Sequence, residues 1–336
     1  LVLLPRETAT AARRALSLCG GVLLPSLFPF FVLSGIVLGT GLGARLGRLA
    51  APLMRPLFRV NGTGAAALVL GLLGGYPIGA SCAVSLHESG TCSQTEAERL
   101  LAFCNNSGPS FVLGAVGAGI FGSMRIGVFL YLVHIVSALL VGLLFRFYRY
   151  RDCPIPEQSV PVKPPLSLPS ALYHSIQDGL RQTLNVCAFV IFFAVLSAIF
   201  TGFSIFPAGN PLCVGFLEVT SGVSVLPVSD PMRAFPLAAL LIGFAGVSVH
   251  CQTLSLFSDT DLRPAPYLLG KGLHGLLSYL LALPLAHWLF TTQTAFAPLF
   301  SVRPHSLAWG IFGGCLVLVA LVLAKRAGKP YNRENQ

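Results

Sequence analysis

Apolar residues fill this chain in long charge-free runs: Ala15 to Ala44, Gly62 to Leu86, Leu100 to Met124, Ile126 to Phe145, Leu184 to Leu217, Ala234 to Ser258, Gly272 to Val302 and Pro304 to Ala324. A helix needs about 20 residues, rising ~1.5 Å each, to cross the hydrocarbon layer. Nearly all of these runs are long enough, so the pattern predicts an all-α polytopic membrane protein.

Several runs are broken at their centres. In Gly62 to Leu86 the stretch Gly74-Gly75-Tyr76-Pro77-Ile78-Gly79 divides the segment into two arms of about ten residues, each reaching half-way across the bilayer at ~1.5 Å per residue. Either a re-entrant hairpin or one kinked crossing helix satisfies that pattern. A second helix should start at Ser93 or Thr95, with Glu96 and Glu98 in its first turn, and stop at Asn105-Asn106-Ser107-Gly108-Pro109. Non-helical polar backbone inside an apolar run is tolerated only where protein or a water-filled cavity covers it. The alternative is an aqueous loop after a surface helix ending near Cys104.

The remaining elements follow from the same pattern. Ala11 to Thr40 reads as one long helix, kinked by Pro25 and Pro29. Ala44 to Phe58 sets Arg45, Arg48, Arg55 and Arg59 among leucines and reads as an amphipathic segment in the interface. Ala171 to Phe206, Ala234 to Ser258, Tyr267 to Phe290 and Ala308 to Ala324 read as further long segments, and Asn210 to Val228 as a short one carrying Glu218-Val219-Thr220-Ser221-Gly222. Leu1 to Leu4 reads as the end of an apolar segment, predicting an upstream helix or signal anchor.

The two halves look alike. Val32 to Ile36 with Gly71 to Leu86 resembles Val195 to Ile199 with Gly243 to Phe257, and in each half the second run is broken, the later one at Gly246 to Gln252. Related halves with broken apolar segments at corresponding places point to a transport site at the membrane midplane. The expected organisation is a first membrane repeat over 5–150, a proline-rich linker over 151–170, a second repeat over 171–293 and a C-terminal helix over 304–325. The repeats would be inverted if each made an odd number of crossings.

Composition agrees: 54% of residues are hydrophobic and 10% charged. The net charge of +10 would suggest nucleic acid in a soluble domain, but here it sits in short connections, where cytoplasmic placement and anionic lipid head groups account for it. The positions of the basic clusters do not fix one orientation. Nine cysteines without CxxC spacing argue against a zinc site or disulfide framework and read as small packing residues.

Ionisable groups within membrane segments are costly and mark candidate sites. Glu218 leads, beside the hydroxyls of Thr220 and Ser221, although it equally suits a helix cap. His250, in the second break with Ser248 and Gln252, suits a ligand or proton. His134 and His274 read as histidines bonded to backbone carbonyls, and Lys271 as a lysine snorkelling to the surface. With Gly75, Tyr76, Pro77, Gly79, Asn105, Asn106 and Ser107, these groups suit binding a polar solute rather than acid–base catalysis. No cofactor, metal or enzyme constellation is expected. The expected partners are the lipid bilayer and its anionic head groups, a small polar solute and a coupling ion, without nucleic acid; homo-oligomerisation is left open.

Five motifs, Pro25 to Phe31, Pro52 to Phe58, Gly75 to Ala80, Glu98-Arg99-Leu100 with Asn105 to Pro109, and Glu218 to Gly222, resemble those of YlbJ-type sporulation integral membrane proteins. The resemblance runs from about Pro5 to the second break. It implies a nucleoside-recognition, or gate, domain similar to part of the concentrative nucleoside transporters and the ferrous-iron permease. It also implies two related halves and a role in spore cortex formation in Bacillota. The expectation is a secondary transporter or permease-like protein of the bacterial cell membrane; the alternative is a non-transporting scaffold for sporulation or envelope assembly.

Overall fold

The computed structural model describes residues 3–39, 50–152, 166–207 and 209–291, and the regular structure among them is helical. Arg45, Arg48, most of the proline-rich linker and the helix expected over 304–325 lie outside the described residues.

Helix α1 (Pro5–Leu18) opens on a proline, which has no N–H to leave unpaired in the first turn. A wider π-turn, Cys19–Leu23, joins it to α2 (Leu24–Gly39). The Leu24 N–H bonds back to Cys19 O, directly ahead of Pro25, which lacks an N–H and whose ring would press on the preceding turn of a regular helix. The long segment is therefore interrupted where proline disfavours the helical ladder. It packs along α8 (Leu168–Gly202), a 35-residue helix. The outer face of α8 exposes Leu172, Ile176, Leu180, Leu184 and Phe192, a composition that suits hydrocarbon.

Helix α3 (Ala50–Phe58) makes an angle of 111° with the segment Gly62–Gly74, so the two do not form one straight rod. Next come α4 (Ala65–Gly74) and α5 (Ile78–Glu88), arms of 10 and 11 residues. A Cβ placed on Gly71 would stand 3.1 Å from the Cα of Gly79. Eight positions along one helix span ~12 Å, so the chain folds back at Gly75-Tyr76-Pro77, and of the two readings the hairpin is the one formed.

Helix α6 (Gln94–Cys104) begins with a capping box. The Ser93 hydroxyl accepts from the Glu96 N–H at 3.3 Å, and the Glu96 carboxylate accepts from the Ser93 N–H at 3.0 Å. It stops at Asn105, as the turn-forming run predicts, and a π-helix over Ser110–Ile120 follows the break. The buried Arg99 guanidinium donates to the carbonyls of Arg59, Tyr148 and Arg149, tying α6 to the end of α7 (Met124–Phe145).

The second half continues with α9 (Pro211–Leu217), α10 (Val219–Ser224), α11 (Pro231–Phe244), α12 (Val247–Leu254) and α13 (Pro264–Thr291). Among the described residues, α7, α8, Pro231–Leu254 and α13 are long and apolar enough to cross a membrane.

A polar clamp joins the halves outside these segments. His87 Nε2 donates to Asp261 Oδ1 at 2.6 Å while Nδ1 faces Cys92 O at 3.1 Å, so both ring nitrogens meet acceptors and the protonated ring fits. Burial opposes that charge, but the bond to Asp261 and the Cys92 carbonyl outweigh it and raise the His87 pKa above 6.5; the His87 bond holds Asp261 below 3.8. The raised histidine contributes stability that is fully present below pH 6.5 and lost as pH rises through its folded value. The depressed carboxylate contributes above 3.8 and loses its share as pH falls through its folded value. The melting temperature of wild type minus that of His87→Gln should therefore be largest between pH 4 and 6.5 and shrink towards pH 8.5. A difference constant with pH would show that the clamp is uncharged.

Candidate functional site

Four interruptions of the helical chain meet at one place. The first, between α4 and α5, has Gly75 at φ 78°, ψ −168°, a combination that is nearly exclusive to glycine. The second separates α6 from the π-helix at Asn105–Pro109. The third is Glu218, where α9 ends and α10 begins. The fourth is Ala245-Gly246 between α11 and α12, with Ala245 at φ 80° and Gly246 at φ 84°, ψ 157°. Gly246 repeats the backbone state of Gly75, and the left-handed Ala245 beside it is strained by ~1–3 kcal/mol.

A cavity of about 60 Å³ lies where they converge, lined by Gly74, Gly75 and Tyr76 from the first break, Gly108, Ser110 and Phe111 from the second, Glu218, Val219 and Thr220 from the third, and Ser248, Val249 and Gln252 from α12. Leu27 and Phe31 of α2 and Val186, Phe189 and Val190 of α8 close it with apolar surface. A second space of about 260 Å³ is bounded by Tyr76, Pro77, Arg181, Gln182, Asn185, Val186 and Gln252. Tyr76, Val186 and Gln252 belong to both walls, so the two spaces adjoin. The smaller one holds only a few waters; together they reach the lower end of the ~300–1,000 Å³ of ordinary ligand sites.

Glu218 combines the two roles that its sequence context allowed. Its Oε1 accepts from the Thr220 N–H at 2.8 Å and its Oε2 from the Ser221 N–H at 2.6 Å. It thus caps α10 while being 2% exposed and lining the cavity. A carboxylate has about four lone-pair positions, so the cap leaves acceptor capacity towards the cavity.

The expected site residues fall into three groups. Gly75, Tyr76, Glu218, Thr220, Ser248 and Gln252 line the inner cavity, and Pro77 lines the adjoining one. Asn105, Asn106 and Ser107 are buried but line neither. Asn105 Nδ2 donates to Thr253 Oγ1 at 2.8 Å, Asn106 Nδ2 to Phe103 O at 2.9 Å, and Ser107 Oγ to the Tyr76 hydroxyl at 3.0 Å. Tyr76 passes this on by donating to Ile242 O at 3.0 Å, which links the hairpin tip, the second break and α11. Gly79, Ser221 and His250 also stand outside the linings; His250 Nδ1 bonds the Tyr267 hydroxyl at 3.0 Å.

Lys271 departs from its expected place. It is 1% exposed, because α13 starts at Pro264 and carries this position past two turns into the packed interior. His274 Nε2 does bond a backbone carbonyl, that of His134, at 3.0 Å, whereas His134 Nε2 accepts from the Ser107 N–H at 3.0 Å. Sequence reading passed over Gln182 and Asn185. Their signal was available in their position: they follow Arg181 at the end of the polar first half of α8, just before it turns apolar from Val186.

These features define an α-helical, multi-pass integral membrane protein whose broken helices surround a largely apolar cavity into which Glu218, Thr220, Ser248 and Gln252 bring polar groups. Residues 21–124, which include the first two breaks, match the family model Gate, described as nucleoside recognition. The chain is 30% identical over 312 residues to the sporulation integral membrane protein YlbJ of Bacillus subtilis (strain 168), covering 81% of this chain and 76% of that one, and it belongs to that protein's family. No solved structure matches it.

Proposed function

We propose that this protein is a permease that carries a small polar solute across the membrane, acting in sporulation and spore cortex formation as its family suggests, and that it is not an enzyme. One observation carries the reading: three of the four helix breaks, together with α12 directly after the fourth, contribute lining to a single cavity. Unwound backbone at membrane depth is tolerated where it lines such a space, and discontinuous helices are how transporters present polar groups at midplane.

We also propose that the halves are related, with 62–86 corresponding to 234–258. Gly75 and Gly246 share a glycine-only backbone state. Gly71 packs against the Cys104 carbonyl oxygen, and Gly243 packs against that of His274, so each broken segment leans a glycine on a carbonyl of the helix after it. By this register 94–120 corresponds to 264–291, and an inverted relation would set the two breaks face to face.

The test is uptake into reconstituted vesicles from a panel of nucleosides, amino acids, organic acids and polyols. Wild type should accumulate at least one class, and Ser248→Leu, which fills the cavity, should reduce that uptake about tenfold or more while keeping the protein folded. Wild-type protein that moves no member of the panel, with Ser248→Leu restoring spore yield fully in cells lacking their own copy, would overturn the reading in favour of a scaffold.

A further inference from the structure

Behind Tyr76, on the side away from the solute cavity, lies a buried basic group that solute binding leaves unused. Lys271 Nζ donates to Asn105 O at 3.1 Å and lies 3.3 Å from His274 Nδ1 and 5.3 Å from the centre of the Tyr76 ring. Because His274 Nε2 donates to the His134 carbonyl, its Nδ1 is left as an acceptor for the amine. No carboxylate among the described residues pairs with Lys271.

The titratable groups facing the amine come from every side: His274 of α13, His134 of α7, Cys104 of α6, His250 of α12 and Tyr76 at the hairpin tip. Helix α11, which packs along α13, offers only the exposed Arg233 at its start. Every neighbour at the amine is thus neutral or basic, and an ammonium without a counter-charge in such a place holds its proton under strain.

What favours the charge is the end of α6. The last carbonyls of a helix lack intrahelical donors and carry the negative pole of its dipole. The break at Asn105 sets that pole inside the protein, and the buried Asn105 Oδ1 and Asn106 Oδ1 have no partner. Such a collection of oxygens calls for a cation, and the lysine supplies one on a tether.

We propose that Lys271 is the proton-binding site of the transport cycle, its ammonium standing at the broken end of α6 where a free coupling cation would otherwise sit. This rests on the permease reading above. When the amine is protonated it clamps Asn105 O. When it gives up its proton, the clamp weakens, and Ser107 and Tyr76 relay the loosening to the cavity wall. The proton is the coupling ion, and sodium is not required.

Hydrogen–deuterium exchange of peptides covering residues 104–112, in the purified full-length protein in detergent, tests this without any solute. After correction for intrinsic exchange, protection in wild type should fall about tenfold or more between about pH 5.5 and 9.5. Lys271→Arg keeps its charge throughout this range and should give protection that does not vary with pH. Lys271→Gln, a second variant should arginine not fit, should be poorly protected at every pH. Replacing sodium by N-methylglucamine should leave the wild-type curve in place. A flat wild-type profile, an undiminished pH response in Lys271→Arg or Lys271→Gln, or a curve that moves with sodium would overturn the assignment. Absence of uptake with the pH response intact would sink the permease reading and this assignment's place in a cycle, while leaving the proton site. Working uptake with a flat profile would sink this assignment alone.

Discussion

Gly71→Ala is expected to leave little folded protein. A Cβ at this position would overlap the carbonyl oxygen of Cys104 and stand 3.0 Å from its carbonyl carbon and 3.1 Å from the Cα of Gly79. All three neighbours are backbone, so no side chain can rotate away. Relief would require α4, α5 and α6 to separate, which opens the buried packing of Leu68, Ala80, Leu101 and Ala102. Overpacking a core ordinarily destabilises by ~1–3 kcal/mol and more where relaxation is blocked; with three backbones in contact, the upper end applies. Gly272→Ala is the control, because a Cβ there meets nothing within 4 Å and alanine favours helix by ~1 kcal/mol. Thermal unfolding in detergent, followed by size-exclusion chromatography, should separate the two variants widely. A Gly71→Ala melting temperature within a few degrees of wild type would mean that the hairpin is packed more loosely than described.

The same glycines show how much was legible beforehand. Run lengths gave the helices, and the turn-forming residues gave the breaks at Gly75 and Asn105, because glycine, asparagine and proline act on the backbone locally; the break expected over Gly246 to Gln252 is shorter, since only Gly246 with Ala245 leaves the helix and Val247–Leu254 is helical. The Ser93 and Glu96 cap was readable for the same reason. Whether 62–86 folds back or continues was not, since a hairpin and a kinked rod have the same local residues; the contact of Gly71 with Gly79 decides between them. Depth was not readable either. Lys271 lies close enough to its helix start to reach the surface, and only the packing of α6, α7 and α11 around α13 buries it. Of the residues expected at the site, those at or just after a break mostly line the cavity. Asn105, Asn106, Ser107 and His250 instead hold the breaks in shape, and sequence pattern does not distinguish lining from support.

Glu218→Gln should sharply reduce uptake while costing little stability, and the magnitudes explain why the two effects can be separated. The carboxylate accepts two N–H bonds as the cap of α10, whereas glutamine offers one oxygen and turns an NH2 group towards the second N–H. Loss of a cap costs about 1 kcal/mol, a small share of the 5–15 kcal/mol by which folded proteins are held. In the cavity the change is larger in kind. The one acidic side chain in the lining, which it shares with Thr220, Ser248 and Gln252, is removed. Uptake of the solute identified in vesicles should therefore fall by about 10-fold to 100-fold, since hydrogen bonds to charged groups contribute ~1.5–3 kcal/mol, while the melting temperature drops only slightly. If Glu218 also shares in coupling, the variant should still bind solute and fail only to concentrate it, which separates the roles of Glu218 and Lys271. Wild-type accumulation by Glu218→Gln at every pH would reduce Glu218 to a helix cap and leave the cavity without an acidic group in its mechanism.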